Sequence, residues 1–131
     1  MTATVSAHFH VDLPAIVQRC EQFIAEGIYI VFVAIDRDGN APIGFISLTR
    51  THSLYAEGVF GIIPELYVQP MYRSGGVGQR LLDAAKCYGR SNGWQRLEVT
   101  TPPLPMFDRT LDFYQNNGFA VAGGRKMKVL L

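Results

Sequence analysis

The sequence predicts a single domain of the α/β class, residues 1–131, in which a mixed sheet is flanked by helices. Three observations carry this. The chain has 131 residues, enough to bury a core without disulfide or metal staples. Apolar residues make up 48% and charged residues 18%, the balance of a well-buried globular chain. Apolar positions also switch between helical and extended spacing in the order (β)αβββαβαββ, with no repeat and no linker.

The elements follow in order. Val5 to His10 reads as a short strand. Asp12 is suited to cap a helix with Pro14 in its first turn. Ile16, Val17, Cys20 and Ile24 then recur at helical spacing, with Arg19, Gln22 and Glu26 facing the other way, until Gly27 ends the run. "IYIVFVAID", Ile28 to Asp36, is β-branched and aromatic, and reads as a strand buried on both faces. "RDGN" makes a turn, and Pro42 to Arg50 completes an antiparallel hairpin. Val59 to Val68 is a third strand; Pro64 removes a ladder donor, so a bulge or break in pairing is expected there. A helix follows to about Arg90, with Val77, Leu81, Ala84, Ala85 and Tyr88 on its apolar side. Trp94 to Thr101 is a fourth strand, "PPLP" a rigid loop, and Asp108 to Asn117 a shorter helix closed by Gly118. "FAVAGG" and "KMKVLL" read as a last pair of strands.

Composition narrows the function. A net charge of +1 offers nothing for nucleic acid or an anionic membrane surface. No apolar run approaches the roughly eighteen residues of a membrane span. The opening "MTATVSAHFHVD" lacks the basic-then-apolar order of a signal peptide. Cys20 and Cys87 are far apart and share no metal-ligand spacing, so no metal site is expected, and free thiols suit a reducing cytoplasm.

The informative stretch is Arg73-Ser74-Gly75-Gly76-Val77-Gly78, between a strand and a helix. The first amides of a helix have no intrahelical acceptor, and the helix dipole adds partial positive charge there. Glycines let the backbone turn and let a ligand come close. Together with the Arg73 fork this describes an anion site, most often for phosphate. It is not a Walker loop, because Gly78 is followed by Gln79-Arg80, without the Lys and hydroxyl that such a loop needs. Nor does it fit the dinucleotide fingerprint, whose glycine pattern and later acidic residue are missing.

"LYVQPMYRSGGVGQRLLDAA" resembles the acetyl-CoA-binding block of the GNAT (general N-acetyltransferase) superfamily, with Val68, Pro70, Tyr72, Arg73, Gly76 and Gly78 in register. "LDFYQNNGFAV" resembles that family's second block, through Phe113, Tyr114, Gly118 and Phe119. The two blocks lie at the family's separation, and the resemblance covers most of the chain.

The resemblance implies a central, mostly antiparallel sheet with flanking helices, and an N-acetyltransferase using acetyl-CoA by direct attack of a primary amine. It places the pyrophosphate against the amides of Arg73, Ser74, Gly75, Gly76, Val77 and Gly78. It lays the pantetheine arm along Leu66 and Val68, with the Leu66 or Tyr67 amide facing the oxyanion. Tyr114 becomes the acid for the departing thiolate. Glu65 becomes the base or a ligand for the cationic acceptor, with His52 and Tyr55 lining the acceptor pocket. The sequence departs from the family at Phe107, where many members carry an Asn that contacts the CoA arm, and in its short N-terminal region. A small-molecule amine is the expected acceptor, because no acidic tract is present to hold a basic peptide. A protein or peptide amine, a non-catalytic acyl-CoA sensor and a generic nucleotide-binding loop are the alternatives. A homodimer is compatible with the family, and no residue pattern demands one.

Overall fold

The computed structural model describes residues 13–54, 58–101 and 107–131. The strand expected over Val5 to His10, the "PPLP" loop and Tyr55 lie outside the described residues. The chain divides into two compact units, Met1–Thr100 and Thr101–Leu131.

The first unit carries the sheet. Helix α1, Leu13–Ala25, leads into β1, Tyr29–Ile35. Strand β2, Pro42–Ser53, pairs antiparallel with β1 from Tyr29 opposite Thr49 to Ala34 opposite Gly44. The hairpin turn is closed by Asp36: its carbonyl accepts from the Asn40 amide at 2.8 Å, and its carboxylate accepts from the Asp38 amide at 3.0 Å. Strands β3, Gly58–Ile62, and β4, Leu66–Val68, follow, then a 3₁₀ turn over Pro70–Tyr72 and helix α2, Val77–Ser91. Strand β5, Leu97–Glu98, pairs parallel with β3. The five-stranded sheet runs β1-β2-β3-β5, with β4 off this path and paired to β2.

Two ring contacts show which helix covers which face. Phe23 of α1 stands 5.1 Å from Tyr29, and Tyr88 of α2 stands 5.9 Å from Phe32. Tyr29 and Phe32 have opposite parity on β1, so the two helices lie on opposite faces of the sheet. Residues 43–48 of β2, covered on both sides, are all buried. Ile46, Leu48 and Leu82 are fully buried, each contributing about 1.5–3 kcal/mol by removal from water. On the α2 face, Gly61 and Gly89 leave room for the Trp94 indole. A Cβ on Gly61 would enter that ring, and one on Gly89 would lie 3.1 Å from it.

Two expectations are corrected. Strand β1 is not buried on both faces: Val33 is 50% and Ile35 48% exposed. Its far end runs past the cover of α1, and among the described residues only β2 pairs with it. The fourth strand is also shorter than Trp94 to Thr101, because its pairing with β3 lasts only two residues.

The second unit holds α3, Asp108–Asn116, where the shorter helix was expected. Residues 119–131 form no strands, contrary to the pair expected around Gly123-Gly124, and Met127, Val129, Leu130 and Leu131 are exposed. Among the described residues, no helix is long and apolar enough to cross a membrane.

Candidate active site

The expected break at Pro64 is present, and it sets the geometry. Strand β3 pairs with β2 over residues 49–53, and β4 pairs with β2 over residues 44–46. Residues 63–65 between them belong to neither strand. Ser47 holds the gap: its amide donates to the Glu65 carbonyl at 2.9 Å, and its hydroxyl oxygen accepts from the Glu65 amide at 3.0 Å. Further on, the Gln69 amide donates to the Ile43 carbonyl at 2.8 Å. Residues 65 and 69 thus turn their backbone polar groups toward β2. By the two-residue period of a strand, the amides of Leu66 and Val68 point to the opposite edge, and that of Tyr67 points back to β2. Among the described residues no strand occupies this outer edge of β4.

The glycine loop starts where that edge ends. Arg73 donates from Nε to the Val68 carbonyl at 2.8 Å, and its guanidinium carbon stands 5.7 Å from the centre of the Tyr67 ring. Ser74 and Gly76 have φ of 67° and 85°, both in the left-handed region. Gly76 is the N-cap of α2, and a Cβ there would meet nothing within 4 Å. The first bond of the helix runs from the Arg80 amide to the Gly76 carbonyl at 3.0 Å. The amides of Val77, Gly78 and Gln79 therefore open the helix without an intrahelical acceptor. Two tethers fix the loop. Tyr72 donates its hydroxyl to Asp36 at 2.7 Å, and Gln69 donates Nε2 to the Pro42 carbonyl at 3.1 Å. The Tyr72 hydrogen bond holds the Asp36 carboxyl below the usual carboxylate range, and Asp36 in turn raises the Tyr72 phenol. An open, positively polarised cradle of this kind fits a phosphate group.

Glu65 sits at the break, with its side chain on the α1 face. The Ser47 hydroxyl donates to Glu65 Oε2 at 2.7 Å. The Tyr29 hydroxyl reaches both carboxylate oxygens, at 3.2 and 3.3 Å. Burial, followed by the Glu65 charge, pushes the Tyr29 phenol up to about 12, so it remains a donor. Sequence reasoning missed both partners. The available signal was Ser47 itself, a lone hydroxyl inside the apolar run "IGFISL". His52 is not brought together with Glu65. It lies opposite Val59 on β2, five residues from Ser47, and so on the other face of the sheet. A cavity of about 280 Å³, lined by Phe32, Ile43, Arg80 and Leu81 among others, belongs to the α2 side as well.

In the second unit, Tyr114 is 5% exposed, with its ring 5.2 Å from Phe113 and 5.3 Å from Phe119. The Phe119 amide donates to the Tyr114 carbonyl at 3.0 Å, which folds Phe119 back onto the helix end. Burial pushes the Tyr114 phenol up to about 12, so it keeps its proton across the neutral range. Phe107 is the N-cap of α3 and makes no side-chain capping bond.

Comparison with known proteins bears on this arrangement. Residues 27–121 match the acetyltransferase (GNAT) domain family. Over 87 residues the chain is 34% identical to the uncharacterized N-acetyltransferase YhfO of Bacillus subtilis (strain 168). That match covers 66% of this chain and 57% of the relative, so it spans little more than half of the relative's length. The fold is similar to an aminoglycoside acetyltransferase from an uncultured soil metagenomic sample, with TM-score 0.80 and 20% identity over 99% of this chain and 82% of that one. It is also similar to a ribosomal-protein-alanine N-acetyltransferase from Brucella melitensis, with TM-score 0.70 and 17% identity over 86% and 79% of the two chains. At such identities the structural likeness speaks for the fold alone. The sequence match carries further, because it takes in the broken strand, the glycine loop and the helix together: the chain belongs to the GNAT acetyltransferase family.

Proposed function

We propose that the chain is an acetyl-CoA-dependent N-acetyltransferase acting on a primary amine of a small molecule. One observation carries the reading. A strand edge with outward amides at Leu66 and Val68 leads directly into a glycine-capped helix start with left-handed residues at Ser74 and Gly76. An extended amide-bearing arm that ends in a pyrophosphate matches that sequence of surfaces.

In this reading the amides of Ser74, Gly75, Gly76, Val77 and Gly78 hold the pyrophosphate. Arg73, whose Nε is committed to Val68, offers its terminal nitrogens. The edge of β4 pairs with the pantetheine arm through Leu66 and Val68. When bound, acetyl-CoA supplies an activated acyl thioester. The outward Leu66 amide stabilises the oxyanion, in preference to the inward Tyr67 amide. Glu65 receives the acceptor, either taking its ammonium proton directly or holding the ammonium while solvent water takes that proton, so that in both cases a neutral amine attacks. Tyr114 donates the proton that the departing sulfur needs, as the C–N bond replaces the C–S bond. The absence of an acidic tract in the sequence supports a small acceptor over a basic peptide.

The test is thiol release from acetyl-CoA across a panel of small amines, aminoglycosides and peptide N-termini. Amine-dependent release, fastest with a small amine, is the expected result. Release fastest with peptides moves the acceptor to protein amines. Tight CoA binding with no release for any amine replaces the enzyme with a sensor of acyl-CoA.

A further inference from the structure

We propose that Tyr29 and Ser47 are positioning residues that aim the Glu65 carboxylate at the acceptor amine, and that Ser47 alone also ties this carboxylate to the strand edge that receives the thioester. The proposal rests on the acetyl-transfer reading above.

The geometry of Glu65 is fixed from several directions. Its carbonyl, its amide and one carboxylate oxygen all bond to Ser47, at 2.9, 3.0 and 2.7 Å. Its two carboxylate oxygens share the Tyr29 hydroxyl. Neither partner has freedom to move away. Ser47 is 1% exposed in the middle of β2, and Tyr29 is packed against Phe23 of α1. A carboxylate has about four acceptor positions, so two hydroxyl donors leave room for an ammonium. They also remove the rotamers in which it would point elsewhere. A group held in one direction retains the rate advantage of proximity, and a swinging one loses it.

Ser47 does more than Tyr29. Its oxygen satisfies the Glu65 amide in the gap between β3 and β4, beside the main-chain bond from the Ser47 amide to the Glu65 carbonyl. Leu66, whose amide points to the outer edge, is the next residue. One buried hydroxyl therefore sets both the acceptor carboxylate and the start of the donor edge. The Tyr29 hydroxyl bonds to Glu65 through the carboxylate alone.

This difference is the test. Tyr29→Phe, Ser47→Ala, Glu65→Gln and the double variant Tyr29→Phe/Glu65→Gln are compared with the parent by steady-state kinetics in both substrates. Tyr29→Phe is expected to lower kcat/KM for the amine by about ten- to hundredfold, the scale of a hydrogen bond to a charged group. Its KM for acetyl-CoA is expected to stay within about twofold. Ser47→Ala is expected to shift the amine and the acetyl-CoA parameters together. In the Glu65→Gln background, Tyr29→Phe is expected to cost little more. Unchanged amine kinetics in a folded Tyr29→Phe, or losses that simply add in the double variant, overturn the proposal. Should Ser47→Ala fail to fold, Tyr29→Phe and the double variant still decide the role of the carboxylate clamp. A parent that acetylates no amine overturns the underlying reading, and this proposal with it.

Discussion

Replacing Gly76 by Asp separates the shape of the glycine loop from its charge. Gly76 caps α2 at φ 85°, and a Cβ there meets nothing within 4 Å, so the added side chain has space. Asp and Asn are the residues that best tolerate the left-handed region, so the fold is expected to survive at a cost of about 1–2 kcal/mol. The electrostatic effect is larger. A carboxylate about 5 Å from a phosphate charge costs ~0.8 kcal/mol in water and ~3 kcal/mol at an effective dielectric constant of 20. Two phosphate charges give roughly 2–6 kcal/mol, an affinity loss between about 30-fold and about 10⁴-fold. Gly76→Asn has nearly the same shape and backbone preference without the charge, so it carries the strain alone. Calorimetric titration of both variants with CoA is the assay. The Asp variant is expected to bind far more weakly than the Asn variant, and the gap is expected to narrow as salt screens the repulsion. Equal affinity in two folded variants would refute the placement of the pyrophosphate at this helix start.

Further outcomes follow from other parts of the molecule. Tyr114→Phe keeps the ring packed on Phe113 and Phe119 while removing the hydroxyl. Turnover is expected to fall roughly 10²–10⁴-fold with CoA affinity nearly unchanged, and equal turnover would leave Tyr114 a packing residue. The Tyr114 phenol is raised to about 12, so the stability linked to it is fully present below its unfolded value near 10 and is lost as pH rises toward 12. Thermal melts of parent and Tyr114→Phe across that window should diverge. Asp36 is lowered by Tyr72, so its contribution is present at neutral pH and fades as pH falls through its folded value. Tyr72→Phe is expected to flatten that acid dependence in melts from pH 7 downward. Gly61→Ala puts a Cβ into the Trp94 indole and 2.7 Å from Leu97 Cδ2, which is expected to cost about 1–3 kcal/mol by denaturant unfolding.

Local signals in the sequence located much of this fold. The helical spacing from Ile16 to Ile24, the "RDGN" turn and the glycine run each depend on residues close together in the chain, and α1, the hairpin and the start of α2 lie where those signals put them. Pro64 likewise announced its break, since a missing donor is a property of one residue. Pairing across distance was not legible. Ser47 and Glu65 are 18 residues apart and Tyr29 and Glu65 36 apart, so their meeting depends on the register of two strand pairs. His52 shows the same limit, because a one-residue change of parity decides its face. "FAVAGG" and "KMKVLL" have the composition of strands, yet composition does not supply a neighbour to pair with.

In the proposed function, the break after β3 and the glycine loop before α2 act as one acyl-CoA site. Titration of the ¹⁵N-labelled protein with CoA, followed amide by amide, tests this most directly. Two groups of resonances are expected to shift and to saturate together, the loop amides from Ser74 to Gly78 and the outward edge amides of Leu66 and Val68. Perturbation confined to other residues, such as those lining the cavity between β1 and α2, would contradict it.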